Sequence, residues 1–240
     1  MARIGKRMVA AQGLLEEGQK YTLEQSFELL PKTCTAKFDE SVDVAVRLGV
    51  DPKQADQMVR GAVSLPNGVG KSVRVVVFAE GDAARAATEA GADFVGGNEL
   101  IDKILAESWT DFDKAVATRG MMARVGRLGR VLGPRGLMPN PRSGSVCGDD
   151  EVGRVVREVK GGRVDFKVDK TGIIHAAIGK ASMTPEQVRE NLVAFLQVLL
   201  RMKPSTAKGI YVRSVTVSGT MGPGVRIEPN ELVRVAGELR

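Results

Sequence analysis

The sequence predicts a two-domain α/β and α+β protein, and three observations carry that reading. Ser41–Leu48 and Val164–Val168 alternate apolar and polar residues, the signature of strands with one covered face. Val73–Ala79 (VRVVVFA) is instead almost continuously apolar, as expected of a parallel strand covered on both faces. Two glycine-rich breaks, Leu65–Lys71 and Lys160–Arg163, separate these two styles of strand. The expected architecture is therefore a discontinuous split α+β domain, an antiparallel sheet with helices, formed by residues 1–67 and 161–240. A doubly wound α/β domain is inserted into it at residues 68–160. Pro66, Gly68 and Gly70 in one connection, and Gly161 and Gly162 in the other, are the expected hinge positions.

A polar, basic N-terminal arm comes first. Thr22–Leu30 reads as a short helix capped by Thr22, with Leu23, Phe27 and Leu30 near one face. In the strand Ser41–Leu48, Val42, Val44, Val46 and Leu48 share one side. Asp51-Pro52 opens a loop, and Gln57–Leu65 fits no single period. The inserted segment then alternates: strand 73–79, a small-residue helix over Gly81–Ala90, a short strand Asp93–Val95, a helix Asn98–Glu107, a strand Lys114–Ala117 and a short helix Met121–Val125. Asp149–Lys160 closes it as a helix, with Val152, Val155, Val156 and Val159 forming its stripe and acids near its N-terminus.

Beyond the second break, Val164, Phe166 and Val168 share a face, and Asp169-Lys170-Thr171-Gly172 suits a hairpin turn into the strand Ile173–Ile178. Thr184–Met202 has the strongest helix signals. Thr184 caps it, Pro185 takes the first helical position and Gln187 completes a capping box. Ile210–Ser218 is the last expected strand, before SGTMGPGVRI.

Gly126–Gly144 (GRLGRVLGPRGLMPNPRSG) carries the densest functional signal. It holds Arg127, Arg130, Arg135 and Arg142 and no acid, and from Lys114 to Gly148 there are seven basic residues and still no Asp or Glu. Pro134, Pro139 and Pro141 exclude a continuous helix or a central strand, so the stretch reads as a long basic loop of irregular shape. Arginine forks suit phosphate groups, and ordinary soluble surfaces mix both charge signs.

The formal charge of +6 favours an anionic partner, most often nucleic acid. Aromatic residues make up 4% of the chain, too few for serial base stacking on a single strand, so folded RNA or phosphate fits better. Cys34 and Cys147 stand far apart and His175 is the single histidine, which argues against a zinc or histidine metal site; the cysteine usage suits a reducing cytosol. No apolar run approaches a membrane span, and Glu16 and Glu17 interrupt any signal-peptide core. Gly68–Ser72 ends like a phosphate-binding loop, but Leu65 occupies the required first glycine and a strand follows instead of a helix. The glycines from Gly126 onward do not reproduce a dinucleotide fingerprint. No catalytic constellation is present, and no cofactor is implied.

On the outer domain, the segments Lys37–Ser41, Lys170–Gly172 and Ser214–Gly222 offer polar tips that can converge. Ser214, Thr216 and Ser218 face away from Val215 and Val217, a hydroxyl row able to donate to phosphates and ribose hydroxyls. Phe38 is expected in the core by default.

KFDESVDVAV, GRVLGPRGLMPNPRSG, DKTGIIHAAIGKASM and SGTMGPGVRI, in this order, resemble the bacterial large-subunit ribosomal protein L-one family, the protein of the mobile ribosomal stalk. The resemblance runs over essentially the whole chain. It departs from the family pattern at Arg119-Gly120 and at Cys147. It implies the split architecture above, a cytoplasmic, non-enzymatic protein that is a monomer when free, and partners in the large ribosomal subunit: large-subunit rRNA and exit-site tRNA. It also implies binding to its own operon mRNA as a translational repressor. Carried onto this chain, the implied rRNA-binding residues are Lys37, Phe38, Ser41, Lys170, Thr171, Gly172, His175, Ser214, Thr220, Met221 and Gly222. Arg127, Arg130, Arg135 and Arg142 would be auxiliary RNA contacts.

Overall fold

The computed structural model describes residues 5–16 and 18–238. In chain order, the N-terminal arm contains a short helix α1 (Lys6–Gln12), to which the sequence analysis assigned no element. Helix α2 (Leu23–Thr33) starts at Thr22 with a complete capping box, in which Thr22 Oγ1 accepts from Gln25 N and Gln25 returns the bond to Thr22 N. Strand β1 (Ser41–Leu48) keeps the expected bounds, with Val42, Val44, Val46 and Leu48 buried. The ambiguous stretch after it forms strand β2 (Arg60–Ser64). Then follow β3 (Val75–Phe78), α3 (Asp82–Glu89), β4 (Phe94–Gly96), α4 (Asn98–Glu107) and β5 (Lys114–Thr118).

The basic stretch corrects the expectation of one long irregular loop. Helix α5 (Met122–Val125) continues through a 3-10 turn, Gly126–Leu128, into α6 (Gly129–Leu132). Met121, Val125, Leu128 and Leu132 recur at helical spacing and are buried. That burial outweighs the helix-weakening glycines, and the prolines only act from Pro134 onward. Strand β6 (Val146–Cys147) and helix α7 (Val152–Lys160) complete this part.

Strand β7 (Arg163–Lys167) and strand β8 (Ile173–Lys180) flank the predicted turn. Helix α8 (Pro185–Arg201) has the predicted capping box between Thr184 and Gln187. After β9 (Val212–Gly219), the chain adds β10 (Val225–Ile227) and α9 (Pro229–Glu238), neither of which was expected.

The described residues divide into two compact units. The first comprises those up to Gly70 and those from Val164 onward; the second is Lys71–Arg163. In the first unit the four-stranded sheet runs β10-β9-β1-β8, with antiparallel pairing throughout, and β2 and β7 form a separate pair. Helices α2, α8 and α9 pack on one side of that sheet. Phe27, Leu192, Phe195, Leu196, Ile174, Ile178, Val215 and Val217 make the core between them. The opposite side of the sheet carries the polar residues.

The second unit has a parallel sheet, β4-β3-β5-β6. All four residues of β3 are buried, as a strand covered on both faces requires. Val75 and Val77 pack with α3 and α7, while Val76 and Phe78 pack with Ile101, Ile104, Val125 and Leu132. These two units are the α+β and α/β layers expected from the strand styles.

Candidate nucleic-acid interface

The open side of the antiparallel sheet is built by strand alternation alone. With Val42, Val44 and Val46 turned into the core, Ser41, Asp43, Ala45 and Arg47 face outward. The register then sets their neighbours. Asp43 opposes Ser218 and Ala177, Ala45 opposes Thr216 and His175, and Arg47 opposes Ser214 and Ile173. On the edge strand, Arg226 opposes Thr216. The hydroxyl row Ser214, Thr216, Ser218 is thus on the solvent side of the sheet, and His175 is exposed beside it. Partial burial lifts the Asp43 carboxyl above its ordinary range, while His175 and Lys180 pull it back.

Lys37, Phe38, Ser41, Thr220, Met221 and Gly222 gather at one end of the sheet. The Thr220 hydroxyl accepts from Ser41 N at 3.0 Å and donates to Ser41 O at 3.2 Å, extending the β1–β9 ladder by a side chain. Glu40 makes the second tie. The residue is 1% exposed, and its carboxyl oxygens accept from Ala36 N at 2.7 Å (Oε1) and from Met221 N at 2.9 Å (Oε2). One buried carboxyl side chain therefore holds both the segment before β1 and the loop after β9. A Cβ on Gly219 would stand 2.5 Å from Cys34 Sγ and 2.8 Å from Glu40 Oε2, so a larger residue there would push these side chains aside. Asp39 pins the same segment from the other side, accepting from Ser182 N (3.1 Å) and Ser182 Oγ (3.0 Å).

This framework leaves two large apolar side chains in solvent: Phe38, 55% exposed, and Met221, 49% exposed. The core default for Phe38 is corrected. Its neighbours Asp39 and Glu40 are both anchored, and the inward position of the segment is taken by Glu40. Lys37 is exposed as well.

Lys170, Thr171 and Gly172 lie at the opposite end of β1, where Leu48 N donates to Gly172 O at 2.8 Å. Asp169 organises this turn. Its Oδ1 accepts from Thr171 N (2.8 Å), Thr171 Oγ1 (2.7 Å) and Ile173 N (2.8 Å). The bond from Ile173 N, then that from the Thr171 hydroxyl, holds the Asp169 carboxyl below its usual range. Gly172 sits at φ +80°, left-handed backbone that favours glycine. Ser214 is at this end too, paired with Arg47. The residues singled out from sequence thus do not meet at one point. They run along one sheet side, over the length of an eight-residue strand, roughly 20 Å or more at ~3.3 Å per residue.

In the second unit, Arg127, Arg130 and Arg135 are exposed, the first two on the solvent side of the helical turns that bury Val125, Leu128 and Leu132. The side chain of Arg142 lies outside the described residues. Downstream, Asn140 N donates to Ser145 Oγ at 2.8 Å, and Arg163 donates to Ser143 O, which fixes the Pro139–Gly144 turn. Arg124 is committed to Glu80 at 2.6 Å.

Among the expected hinge residues, Gly68, Gly70 and Gly162 have positive φ and Gly161 ends α7. The fully buried Asn191 of α8 accepts from Asn67 N at 3.1 Å and donates to Gly68 O and Ile178 O, each at 2.8 Å. Pro66 and Gly68 therefore flank a peptide that is fastened to the first unit, a feature absent from the sequence reading. Among the described residues no group of three His, Cys, Asp or Glu side chains could hold a metal ion, and no helix is long and apolar enough to cross a membrane.

Residues 30–223 match the family model described as the Ribosomal protein L1p/L10e family. The chain is 53% identical over 229 residues to the "Large ribosomal subunit protein uL1" of Syntrophobacter fumaroxidans (strain DSM 10017 / MPOB), covering 95% of this chain and 97% of that one. It is 55% identical over 224 residues to the protein of the same name from Solibacter usitatus (strain Ellin6076), covering 93% of each. These names describe a ribosomal protein and not an enzyme, as the sequence reading expected.

Proposed function

Because this chain belongs to the Ribosomal protein L1p/L10e family, we propose that it is a constituent of the large ribosomal subunit that grips stalk rRNA with the open side of its antiparallel sheet. The observation that carries this reading is the Glu40–Thr220 clamp. A buried carboxyl side chain and a doubly bonded hydroxyl fix two segments while Phe38 and Met221 stay in solvent. Exposed apolar side chains on a rigid frame suit a preformed surface for a folded polynucleotide. The hydroxyl row and His175 extend that surface, and Lys37 and Lys170 supply attraction to phosphate.

Arg127, Arg130, Arg135 and Arg142 form an auxiliary contact on the second unit. The finer activities are those that the family resemblance implies. The protein contacts exit-site tRNA as it leaves, and it represses its own operon by binding an RNA of similar shape in the messenger. It is cytoplasmic, on the ribosome, a monomer when free, and needs no cofactor. Gly70 and the Gly161-Gly162 pair supply the hinge.

A gel-shift titration with a stalk-base rRNA fragment and a scrambled fragment of equal length tests the reading. Tighter binding to the native fragment, competed by the leader of its own messenger, is expected. Equal affinity for both fragments would overturn it.

A further inference from the structure

At the end of the sheet remote from Thr220, three arginines occupy one surface. Arg47 opposes Ser214, and Arg226 opposes Thr216. Arg213 joins them through the break in register beside Leu48, where Arg213 and Ser214 are both exposed between buried Val212 and Val215. With Lys20 they line an open depression of about 450 Å³, whose lining includes Ser214 and Thr216 and, among the described residues, no carboxylate.

The charges here are unbalanced. Lys20 is paired with Glu228 at 3.2 Å, but Arg47, Arg213 and Arg226 make no ion pair among the described residues. Some other arginines are neutralised: Arg74, Arg124, Arg154 and Arg163 each stand beside a carboxylate. Three unneutralised guanidinium groups around one depression repel one another, a cost that a docked polyanion would offset. Planar guanidinium forks next to hydroxyl donors match phosphodiester oxygens. Among the described residues no tryptophan, tyrosine or phenylalanine lines the depression, which argues against base stacking as the mode of contact.

We propose that this depression is a second RNA site, reading backbone alone and taking about two or three phosphates of the same folded RNA that the Phe38–Met221 end recognises. It rests on the reading that the sheet side binds RNA. The two ends divide the work: the clamped end discriminates and the arginine end attracts and orients.

The test titrates the full chain with the stalk fragment and the scrambled fragment across a series of KCl concentrations. Wild type is compared with the combined Arg47→Gln, Arg213→Gln, Arg226→Gln variant and with Met221→Ala. The triple variant is expected to lose roughly tenfold or more on both fragments, and its salt slope to shrink by about 2, with the ratio between fragments kept. Met221→Ala is expected to lower that ratio and leave the slope. Should the triple variant melt abnormally by circular dichroism, Arg226→Gln alone, on the edge strand, is expected to reduce the slope by about 1. An arginine variant with wild-type affinity and slope removes this site while the wild-type preference for native fragment still stands. Wild type that binds neither fragment overturns the RNA reading and this site with it.

Discussion

Glu40 and Thr220 each spend their side chains on backbone atoms of a different segment, and neither role follows from residue type alone. Removing the Thr220 hydroxyl with valine deletes two bonds to Ser41 and is expected to cost about 1 kcal/mol of stability, read from urea midpoints. Glu40→Gln offers an amide N–H where a backbone N–H needs an acceptor, so a loss of ~1–3 kcal/mol is expected in the same measurement. Met221→Ala touches no such bond and should weaken stalk RNA by about 1–3 kcal/mol while leaving the midpoint unchanged. Part of this was legible beforehand. Strand parity sends Val42, Val44 and Val46 inward, and one further step back sends Glu40 inward as well. The polar–apolar contrast of Glu40 hid it, because a carboxylate is assigned to solvent unless its partners are known. Those partners, Ala36 N and Met221 N, are backbone groups, one of them far away in sequence.

Short turns and helix ends in this chain are governed by single side chains. Asp169 holds the β7–β8 turn with its carboxyl lowered below the ordinary value. The folded-state value is thus below the unfolded one of about 3.9. The stabilisation is present above that unfolded value and is lost as pH falls through the folded one. Asp169→Asn is expected to be less stable than wild type at pH ~7, with the gap closing as the pH falls through the lowered folded-state value; urea midpoints measured at neutral and at progressively more acidic pH check it. On α8, Asn191→Leu strands Asn67 N and Gly68 O and should cost ~1–3 kcal/mol. Helix caps were legible because Thr-x-x-Gln is a local pattern, found at both Thr22 and Thr184. The helical turns through Gly126–Leu132 were not, since the prolines that follow dominated the reading of the whole stretch. Their stability comes from burying Val125, Leu128 and Leu132 against distant residues. Strand β10 was likewise missed: three residues give too short a period to see, and its partner β9 supplies the pairing.

Each of the two units has its own core: the first is centred on the antiparallel sheet and its three helices, the second on the parallel sheet. A fragment spanning Lys71–Arg163 is expected to fold alone and melt cooperatively by circular dichroism, a direct check on its independence. Limited proteolysis is expected to nick first near Gly70 or Gly162, since Asn191 fastens the chain up to Gly68. The insertion was legible because a change from alternating to continuous apolar strands is a change in how many faces are covered. That the chosen site residues spread along one sheet side was not, since their spacing depends on antiparallel register between segments more than a hundred residues apart. The central claim is that the clamped end of that sheet, and not the arginine-bearing turns of the second unit, discriminates folded RNA. The most direct test compares dissociation constants of Phe38→Ala, Met221→Ala and Arg135→Ala for the stalk rRNA fragment at fixed salt. The first two are expected to weaken binding by about tenfold or more and Arg135→Ala by much less; a large loss in Arg135→Ala with Phe38→Ala and Met221→Ala unchanged would contradict it.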